Sequence, residues 1–387
     1  MGTGPPPPFC LPEEDRIAVN KACFIQELSA CLETPDLDAL RARIRAIREA
    51  LAGLRPDHAC LTTCGETISF RRDILLAELE QILEARTLAR ARHYLRRLRA
   101  GCSQVRTNPV NDINLLRWKE YDEVLTDSLW MIRRRDNSGA HIGSYWGNFV
   151  PQIPRQMMLR YTRKGEWVLD PFVGSGTTLI ECRRLGRNGL GVELNPEVAG
   201  LARSLIAAEP NPFDVASDVV VGDSTTLDFG ALLRERGVER VQLLLMHPPY
   251  HDIIRFSQDP RDLSNAPSVD RFLEMFGEVV ERTSPVLDEG RFLAVVIGDK
   301  YAQGEWIPLG FYVMTEVLKR GYTLKSIVVK NFEETRAKRQ QQELWRYRAL
   351  VGGFYVFKHE YILLFRKNGG PNRTPTGQRP AGIPGSV

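Results

Sequence analysis

The sequence lacks the features that would carry a chain into or across a membrane. No apolar run approaches the ~20 residues that a bilayer-spanning helix needs. Residues 1–8 are rich in Gly and Pro, and they have neither the basic n-region nor the apolar h-region of a secretory signal. We therefore expect a cytoplasmic protein whose thiols are reduced.

Cysteine is too sparse and scattered for a disulfide framework. The seven cysteines are odd in number and follow no regular spacing: Cys10, Cys23, Cys31, Cys60, Cys64, Cys102 and Cys182. Cys60 and Cys64 resemble half of a zinc site, but the sequence has no second Cys or His pair at finger-like spacing. We expect neither a disulfide scaffold nor a metal.

Composition indicates a globular protein. The chain has 387 residues, of which 43% are hydrophobic and 26% charged. This length suffices for one large α/β domain and a smaller appended region. The formal net charge of +4 barely favours a nucleic-acid partner by itself.

The distribution of positive charge along the sequence is more informative about a nucleic-acid partner than the net charge is. Residues 85–110 contain seven arginines and no acidic residue, on a segment with helical leucine spacing: Arg86, Arg90, Arg92, Arg96, Arg97, Arg99 and Arg106. A second basic cluster lies near the other end of the chain: Arg336, Lys338, Arg339, Arg346 and Arg348. Each cluster could be a solvated surface, but two clusters flanking a catalytic core favour DNA binding.

Two kinds of periodicity divide the chain. Residues 12–100 lack strand-like alternation, and three helices are predicted, at 13–32, 37–54 and 71–99. From Trp167 onward, short apolar runs alternate with helical stretches, which indicates a doubly wound, mainly parallel α/β sheet. The predicted strands are 167–170, 190–194, 219–221, 241–245, 292–297, 324–329 and 361–365. We expect a helical region at 1–130, an α/β domain at 131–368 and a disordered tail at 369–387.

A glycine turn follows the first predicted strand of the α/β domain. Residues 170–178 read Asp-Pro-Phe-Val-Gly-Ser-Gly-Thr-Thr, and Gly174 and Gly176 leave room for a cofactor to approach the backbone. The turn lacks the Gly-Lys-Ser/Thr of a phosphate loop and the third glycine of a dinucleotide fold. Asp170 would repel a pyrophosphate but suits a sulfonium amino-acid cofactor. Glu193, after the second strand, can accept both hydroxyls of a ribose, and Asp223 can receive an adenine amino group.

The fourth predicted strand ends in His247-Pro248-Pro249-Tyr250. Two consecutive prolines cannot continue a sheet ladder, so they hold the backbone rigid above the sheet. The His247 ring and the Pro248 carbonyl could accept hydrogen bonds from an exocyclic base amine, whose lone pair is otherwise delocalised into the ring. Tyr250 would stack on a base flipped out of a duplex, and a Tyr250→Phe substitution should then be tolerated.

These two motifs together resemble the DNA amino-methyltransferases, the N4-cytosine and N6-adenine type, over residues 140–367. Residues 149–154 resemble the segment that closes over the methionine end of the cofactor, and residues 359–365 resemble the final antiparallel strand. The resemblance implies a seven-stranded methyltransferase sheet, S-adenosylmethionine as cofactor and double-stranded DNA as partner. It also suggests a cognate restriction endonuclease.

The resemblance assigns site residues by motif. The expected catalytic residues are His247, Pro248, Pro249 and Tyr250. The expected cofactor-binding residues are Pro151, Pro154, Asp170, Pro171, Phe172, Gly174, Ser175, Gly176, Thr177, Glu193 and Asp223. Target recognition is expected near residues 331–357, with Arg336, Lys338, Arg339, Arg346 and Arg348 on DNA. Asp252 is expected to support His247, and Asp299 either orients the base or closes a strand-end turn.

His247 is the main departure from the family pattern, which has Asp, Asn or Ser at this position. Because a neutral histidine can accept a hydrogen bond as either class requires, base identity stays open, with N4 of cytosine slightly favoured. Cytosine-C5 chemistry is excluded, since it needs a Pro-Cys nucleophile and the chain has no such dipeptide. An RNA methyltransferase, a protein-glutamine methyltransferase and an inactive DNA-binding module are the alternatives.

Overall fold

A computed structural model describes residues 16–54, 58–61, 64–331 and 342–369. The chain divides into two compact units, Met1–Leu125 and Thr126–Val387, whereas the sequence predicts a boundary at 130. The predicted disordered tail lies outside the described residues except for Gly369. Among the described residues, no helix has the length and apolar character needed to span a bilayer.

The first unit contains a small two-stranded antiparallel sheet as well as helices. Its strands are β1 (Arg16–Asn20) and β2 (Thr67–Arg71). Its helices are α1 (Lys21–Leu32), α2 (Leu37–Ala52), α3 (Arg72–Leu83) and α4 (Leu88–Ser103). The prediction that residues 12–100 contain no strand was therefore wrong. Each strand has only five residues, so its alternation is too short to stand out beside a helical pattern.

The single helix predicted over 71–99 is also wrong, because α3 and α4 are separate. The chain leaves the helix after Leu83, and the Thr87 side chain then accepts a hydrogen bond from the Arg90 amide (3.2 Å) to start α4. A threonine at this position is a strong helix start, which the leucine spacing on both sides obscured. Buried leucines of both helices, such as Leu79 and Leu95, join one apolar core.

Several arginines of α4 are used within the first unit. Arg92 donates to the Thr34 carbonyl (2.7 Å), Arg97 pairs with Glu78 (2.5 Å) and Arg99 donates to Ser29 (3.2 Å). Arg86 and Arg96 are exposed. Part of the Arg-rich segment therefore stabilises the unit rather than forming a free basic surface.

The second unit is built on an eight-stranded sheet flanked by helices, which confirms the α/β class. Its strands are β3 (Leu129–Trp130), β4 (Trp167–Asp170), β5 (Asn188–Glu193), β6 (Ser217–Val221), β7 (Val241–Met246), β8 (Leu287–Ile297), β11 (Tyr322–Asn331) and β12 (His359–Lys367), with a separate hairpin of β9 (Lys300–Ala302) and β10 (Glu305–Ile307). Its helices are α5 (Gln152–Tyr161), α6 (Thr177–Leu185), α7 (Pro196–Ala208), α8 (Phe229–Arg234), α9 (Val269–Thr283), α10 (Leu309–Lys319) and α11 (Gln342–Gly352).

The strand order is β3-β11-β12-β8-β7-β4-β5-β6. All seven predicted strands are present, and the predicted final strand, β12, runs antiparallel between β8 and β11. The eighth strand, β3, is a two-residue edge strand parallel to β11, and two residues are too few to carry a sequence signal.

The strand directions decide where a ligand site can form. Strands β4 to β8 run parallel, so their carboxyl ends lie on one edge of the sheet. Chain order reverses beside β4, which has β5 on one side and β7 on the other, and ligands of open α/β sheets bind at such a switch point. Because β12 is antiparallel, its amino end reaches this same edge, and β11 ends there too.

Candidate active site

A cavity of about 490 Å³ opens at the carboxyl edge of the sheet. The turns after β4, β5 and β7 all contribute to its wall, as the switch-point geometry requires. The four residues of the predicted catalytic turn, His247 to Tyr250, all line the cavity. So do six of the predicted cofactor residues: Pro171, Phe172, Gly174, Ser175, Glu193 and Asp223.

The Glu193 carboxylate ties the glycine turn to the end of β5. One oxygen accepts the Gly174 amide (3.1 Å), and the other accepts the Asn195 amide (2.9 Å). Gly174 has a φ of 50°, and a Cβ there would lie 3.3 Å from the Tyr145 ring. Each carboxylate oxygen retains acceptor capacity toward the cavity, so a ribose-bearing cofactor fits these residues. Burial raises the pKa of Glu193.

Asp170 supports the same turn from behind and does not line the cavity. Its carboxyl group is fully buried and accepts hydrogen bonds from the Thr178 hydroxyl (2.5 Å) and the Phe172 amide (2.9 Å). Burial raises the pKa of Asp170 to about 7. The acidic end of the first strand therefore shapes the turn instead of facing a ligand.

The other predicted cofactor residues also lie outside the lining. Gly176 has a φ of 89° and starts α6, where a Cβ would meet the Ile206 side chain at 3.0 Å. Thr177 donates to the Asn148 side chain (2.6 Å). Pro151 is the residue before α5, and Pro154 is buried within that helix. These residues stay candidates for indirect roles in cofactor binding.

Sequence reasoning missed a wall that residues 132–148 contribute to the cavity, directly before the predicted segment 149–154. The Arg135 guanidinium donates to the carbonyls of Asn148 (3.2 Å), Phe149 (2.8 Å) and Ile142 (3.0 Å). The Asn148 side chain in turn donates to Ser175 in the glycine turn (2.9 Å). This segment has no helical or strand periodicity, so only the folded chain shows that it borders the site.

The catalytic turn is held by packing around His247 and Tyr250. The His247 ring lies 4.8 Å from the Phe149 ring and 5.5 Å from the Tyr250 ring, measured between centroids. Tyr250 also presses against Gly298 at the end of β8, where a Cβ would lie 2.7 Å from the tyrosine ring. Because Gly298 has no side chain, the tyrosine ring can occupy this place.

The Tyr250 hydroxyl has partners that the sequence did not indicate. It donates to a Glu360 oxygen (2.8 Å) and lies 3.2 Å from Nε2 of His247. Lys330 lies 3.2 Å from the other Glu360 oxygen, and both charged residues are buried and line the cavity. The expectation that Tyr250 acts only through its ring is therefore too simple. The available signal was a charged residue directly beside each of two predicted apolar strands, Lys330 after 324–329 and Glu360 before 361–365.

The imidazole of His247 is neutral at physiological pH and stays neutral at pH values well below it. Burial lowers its pKa to about 4, Glu360 opposes this shift, and Lys330 and Arg135 reinforce it. Burial also raises the pKa of Tyr250 well above its ordinary value, so the hydroxyl keeps its proton. The site therefore presents uncharged polar groups at the catalytic turn.

Two acidic residues near the catalytic turn, Asp252 and Asp299, contact residues other than His247. Asp252 contacts Lys300 and the His251 ring, so the prediction that it supports His247 was wrong. Asp299 is buried and accepts from Trp306 (2.9 Å), the Gly310 amide (3.0 Å) and Tyr361 (3.2 Å). It closes a strand-end turn, which was one of the two predicted roles.

The predicted DNA contacts are only partly described. Arg336, Lys338 and Arg339 lie outside the described residues. Arg346 and Arg348 are exposed on α11, and Arg348 lies over the Trp345 ring, 5.3 Å from its centroid. Leu344 and Tyr347 are exposed on the same helix. This combination of cations and uncovered apolar groups stays a candidate nucleic-acid surface.

Comparison with known proteins matches part of the chain to a methyltransferase family. The model of a family described as DNA methylase matches residues 91–204, which include the glycine turn and Glu193. This match agrees with the resemblance to the DNA amino-methyltransferases over part of the chain. The match confirms S-adenosylmethionine as the cofactor expected from the resemblance, and it ends before the catalytic turn.

Curated relatives match over short stretches. The Type II methyltransferase M.MjaII of Methanocaldococcus jannaschii is 40% identical over 64 residues, which are 16% of this chain and 12% of that protein. M.Cfr9I of Citrobacter freundii is 34% identical over 82 residues, or 21% and 26% of the two chains. M.SmaI of Serratia marcescens is 43% identical over 70 residues, or 18% and 24%. The aligned parts thus span about a quarter or less of each of these Type II methyltransferases.

Glu193 provides a test of the cofactor site. Glu193→Ala should weaken S-adenosylmethionine binding by about 1.5–3 kcal/mol, the range for losing hydrogen bonds to a charged group. Isothermal titration calorimetry measures this change. Glu197→Ala, which removes an exposed carboxylate from the next helix, is the matched control and should leave the affinity unchanged. Unchanged affinity in Glu193→Ala would remove Glu193 from the cofactor site.

Proposed function

We propose that the chain is a site-specific, S-adenosylmethionine-dependent DNA methyltransferase. It transfers a methyl group to the exocyclic amine of a base flipped out of double-stranded DNA, with N4 of cytosine favoured over N6 of adenine. The observation that carries this proposal is that one cavity joins the glycine turn and Glu193 to the turn from His247 to Tyr250. Cofactor and acceptor groups must share a cavity for a direct transfer.

Each part of the cavity has a separate task. Gly174, Phe172 and Glu193 hold the cofactor, which supplies a methyl group bonded to a positively charged sulfur. The target amine would supply the electron pair of the new nitrogen–carbon bond and would release one proton to water. His247 and the Pro248 carbonyl accept hydrogen bonds from the amine and stabilise its developing positive charge.

The preference for cytosine depends on position 247. In the family pattern, serine at this position is typical of cytosine-N4 enzymes, and Asp or Asn is typical of adenine-N6 enzymes. His247 is not a carboxylate, and its low pKa keeps it uncharged, as a serine would be. The family described as DNA methylase and the relatives named Type II methyltransferases support DNA as the substrate. A companion restriction endonuclease is part of the same proposal.

Nucleoside analysis tests the reaction and the base together. The chain should transfer labelled methyl groups from S-adenosylmethionine to unmodified genomic DNA, and mass spectrometry of the hydrolysed DNA should show N4-methylcytosine. N6-methyladenine would correct the base and retain the class of enzyme. Parallel incubations contain total RNA and protein, and label found only there would assign the chain to one of those substrates. DNA binding without transfer would identify an inactive binding module.

His247 should be needed for turnover rather than for cofactor binding. His247→Ala should lower kcat by about 10²–10³, as for loss of one preorganised polar group, with cofactor affinity nearly unchanged. His247→Asn keeps an acceptor and should retain more activity than His247→Ala. Because protonation removes the acceptor lone pair, activity should fall only as pH approaches about 4, and not near 6.5. Wild-type turnover in His247→Ala at saturating DNA would disprove the assignment.

Arg346 and Arg348 should contact DNA phosphates. Neutralising both should reduce the slope of log affinity against log salt concentration by about 1.8, since each lost phosphate contact contributes about 0.9. Fluorescence anisotropy with a labelled duplex, repeated over a range of salt concentrations, gives the slope. Arg271→Ala is the control, because Arg271 is exposed on α9 and already pairs with Glu274 and Glu278. An unchanged slope would make α11 an ordinary solvated surface.

A further inference from the structure

Four side chains contact one another in series along the wall of the cavity, and the last of them is His247. Lys330 contacts one oxygen of Glu360 (3.2 Å), the other oxygen accepts from the Tyr250 hydroxyl (2.8 Å), and that hydroxyl lies 3.2 Å from Nε2 of His247. All four residues line the cavity. Neither charged residue belongs to the cofactor turn or the catalytic turn.

The sheet holds the charged pair in place. Lys330 of β11 and Glu360 of β12 are direct cross-strand partners, and their side chains are 6% and 5% exposed. A buried charge is costly unless it is paired and hydrogen-bonded, and these two residues satisfy that condition with each other and with Tyr250. The arrangement therefore presents an ionised carboxylate to the tyrosine hydroxyl.

The number of protons shared by these four side chains determines which ring nitrogen of His247 is protonated. A carboxylate can only accept, so the single proton of the Tyr250 hydroxyl is donated to Glu360. The tyrosine oxygen then has only lone pairs to offer to the histidine. A hydrogen bond between the two residues requires the proton of the neutral imidazole to lie on Nε2. Nδ1 is then the nitrogen with a free lone pair.

We propose that Lys330 and Glu360 are positioning residues that act through Tyr250 to hold His247 as the Nε2–H tautomer, leaving Nδ1 to accept a hydrogen bond from the target amine. This inference rests on the proposed function. It explains how histidine serves at a position where the family has Asp, Asn or Ser. Those side chains always carry an acceptor oxygen, whereas a histidine nitrogen accepts only in the correct tautomer.

The tautomer can be measured without any methyl transfer. Long-range ¹H–¹⁵N correlation spectra of histidine-labelled protein at pH 7.5 distinguish the protonated from the unprotonated ring nitrogen. The sequence has six histidines, so the His247→Asn variant identifies the His247 signals by their loss. We expect Nε2–H in the wild type and a mixture of tautomers in Tyr250→Phe. An Nδ1–H tautomer in the wild type would overturn the proposal.

Kinetics test whether Glu360 and Tyr250 act through His247. Glu360→Gln and Tyr250→Phe should each lower kcat by about 10- to 100-fold, the effect of removing a partner that orients a functional imidazole. The KM for cofactor should stay within about twofold, because the cofactor contacts are unchanged. In a His247→Ala background the same substitutions should cost almost nothing more, since they act through the missing ring. Equal losses in both backgrounds would mean that Glu360 is only structural.

The controls separate this inference from the proposed function. Glu316→Gln breaks an ion pair with Lys319 and Arg320 on α10, away from the cavity, and should leave kcat and the His247 tautomer unchanged. If the wild type transfers methyl groups to DNA while His247 carries its proton on Nδ1, the proposed function stands and this inference fails. If His247 is the Nε2–H tautomer but no substrate is methylated, the proposed function fails and only the tautomer assignment survives.

Discussion

The parallel alignment of β4 to β8 is the constraint on which the candidate site depends. It places the carboxyl ends of the strands, and the turns that follow them, along one edge of a buried sheet. Polar backbone groups at this edge cannot all reach water, so side chains must satisfy them. Glu193 and Asp170 do so for the glycine turn, and this fixes its shape. A cofactor site and a stable strand end are therefore built from the same hydrogen bonds.

The antiparallel strand β12 brings a further residue to this edge of the sheet. Because it is inserted between β8 and β11, its first residues meet the carboxyl ends of the other strands. Glu360 thereby reaches the catalytic turn, and its cross-strand neighbour Lys330 balances its charge. The buried pair is costly to desolvate, and a purely apolar pair would pack there at less cost. Because this pair borders the cavity and contacts the predicted catalytic residue Tyr250, we infer that it serves function rather than stability.

In the proposed site, the groups around the target amine share one property, which is that they are uncharged. Burial keeps His247 unprotonated, and it keeps Tyr250 protonated. Of the charged residues that act on His247, Glu360 and Lys330 pair with each other. A site that must tolerate a transient positive charge on the amine thus surrounds it with dipoles and a balanced ion pair. This arrangement lets a histidine take a place that oxygen acceptors hold in the family.

The fold class, the seven main strands, the glycine turn with Glu193 and the turn from His247 to Tyr250 could all be predicted from the amino-acid sequence. These features depend on contiguous residues, because strands, glycine turns and proline pairs follow from local backbone preferences. The folded chain was needed to show that Asp170 faces inward, that residues 132–148 form a cavity wall and that Thr87 separates two helices. It alone brought Lys330 and Glu360 to Tyr250, 80 and 110 positions away along the chain. Contacts over such distances arise from strand order and register, which no local pattern encodes.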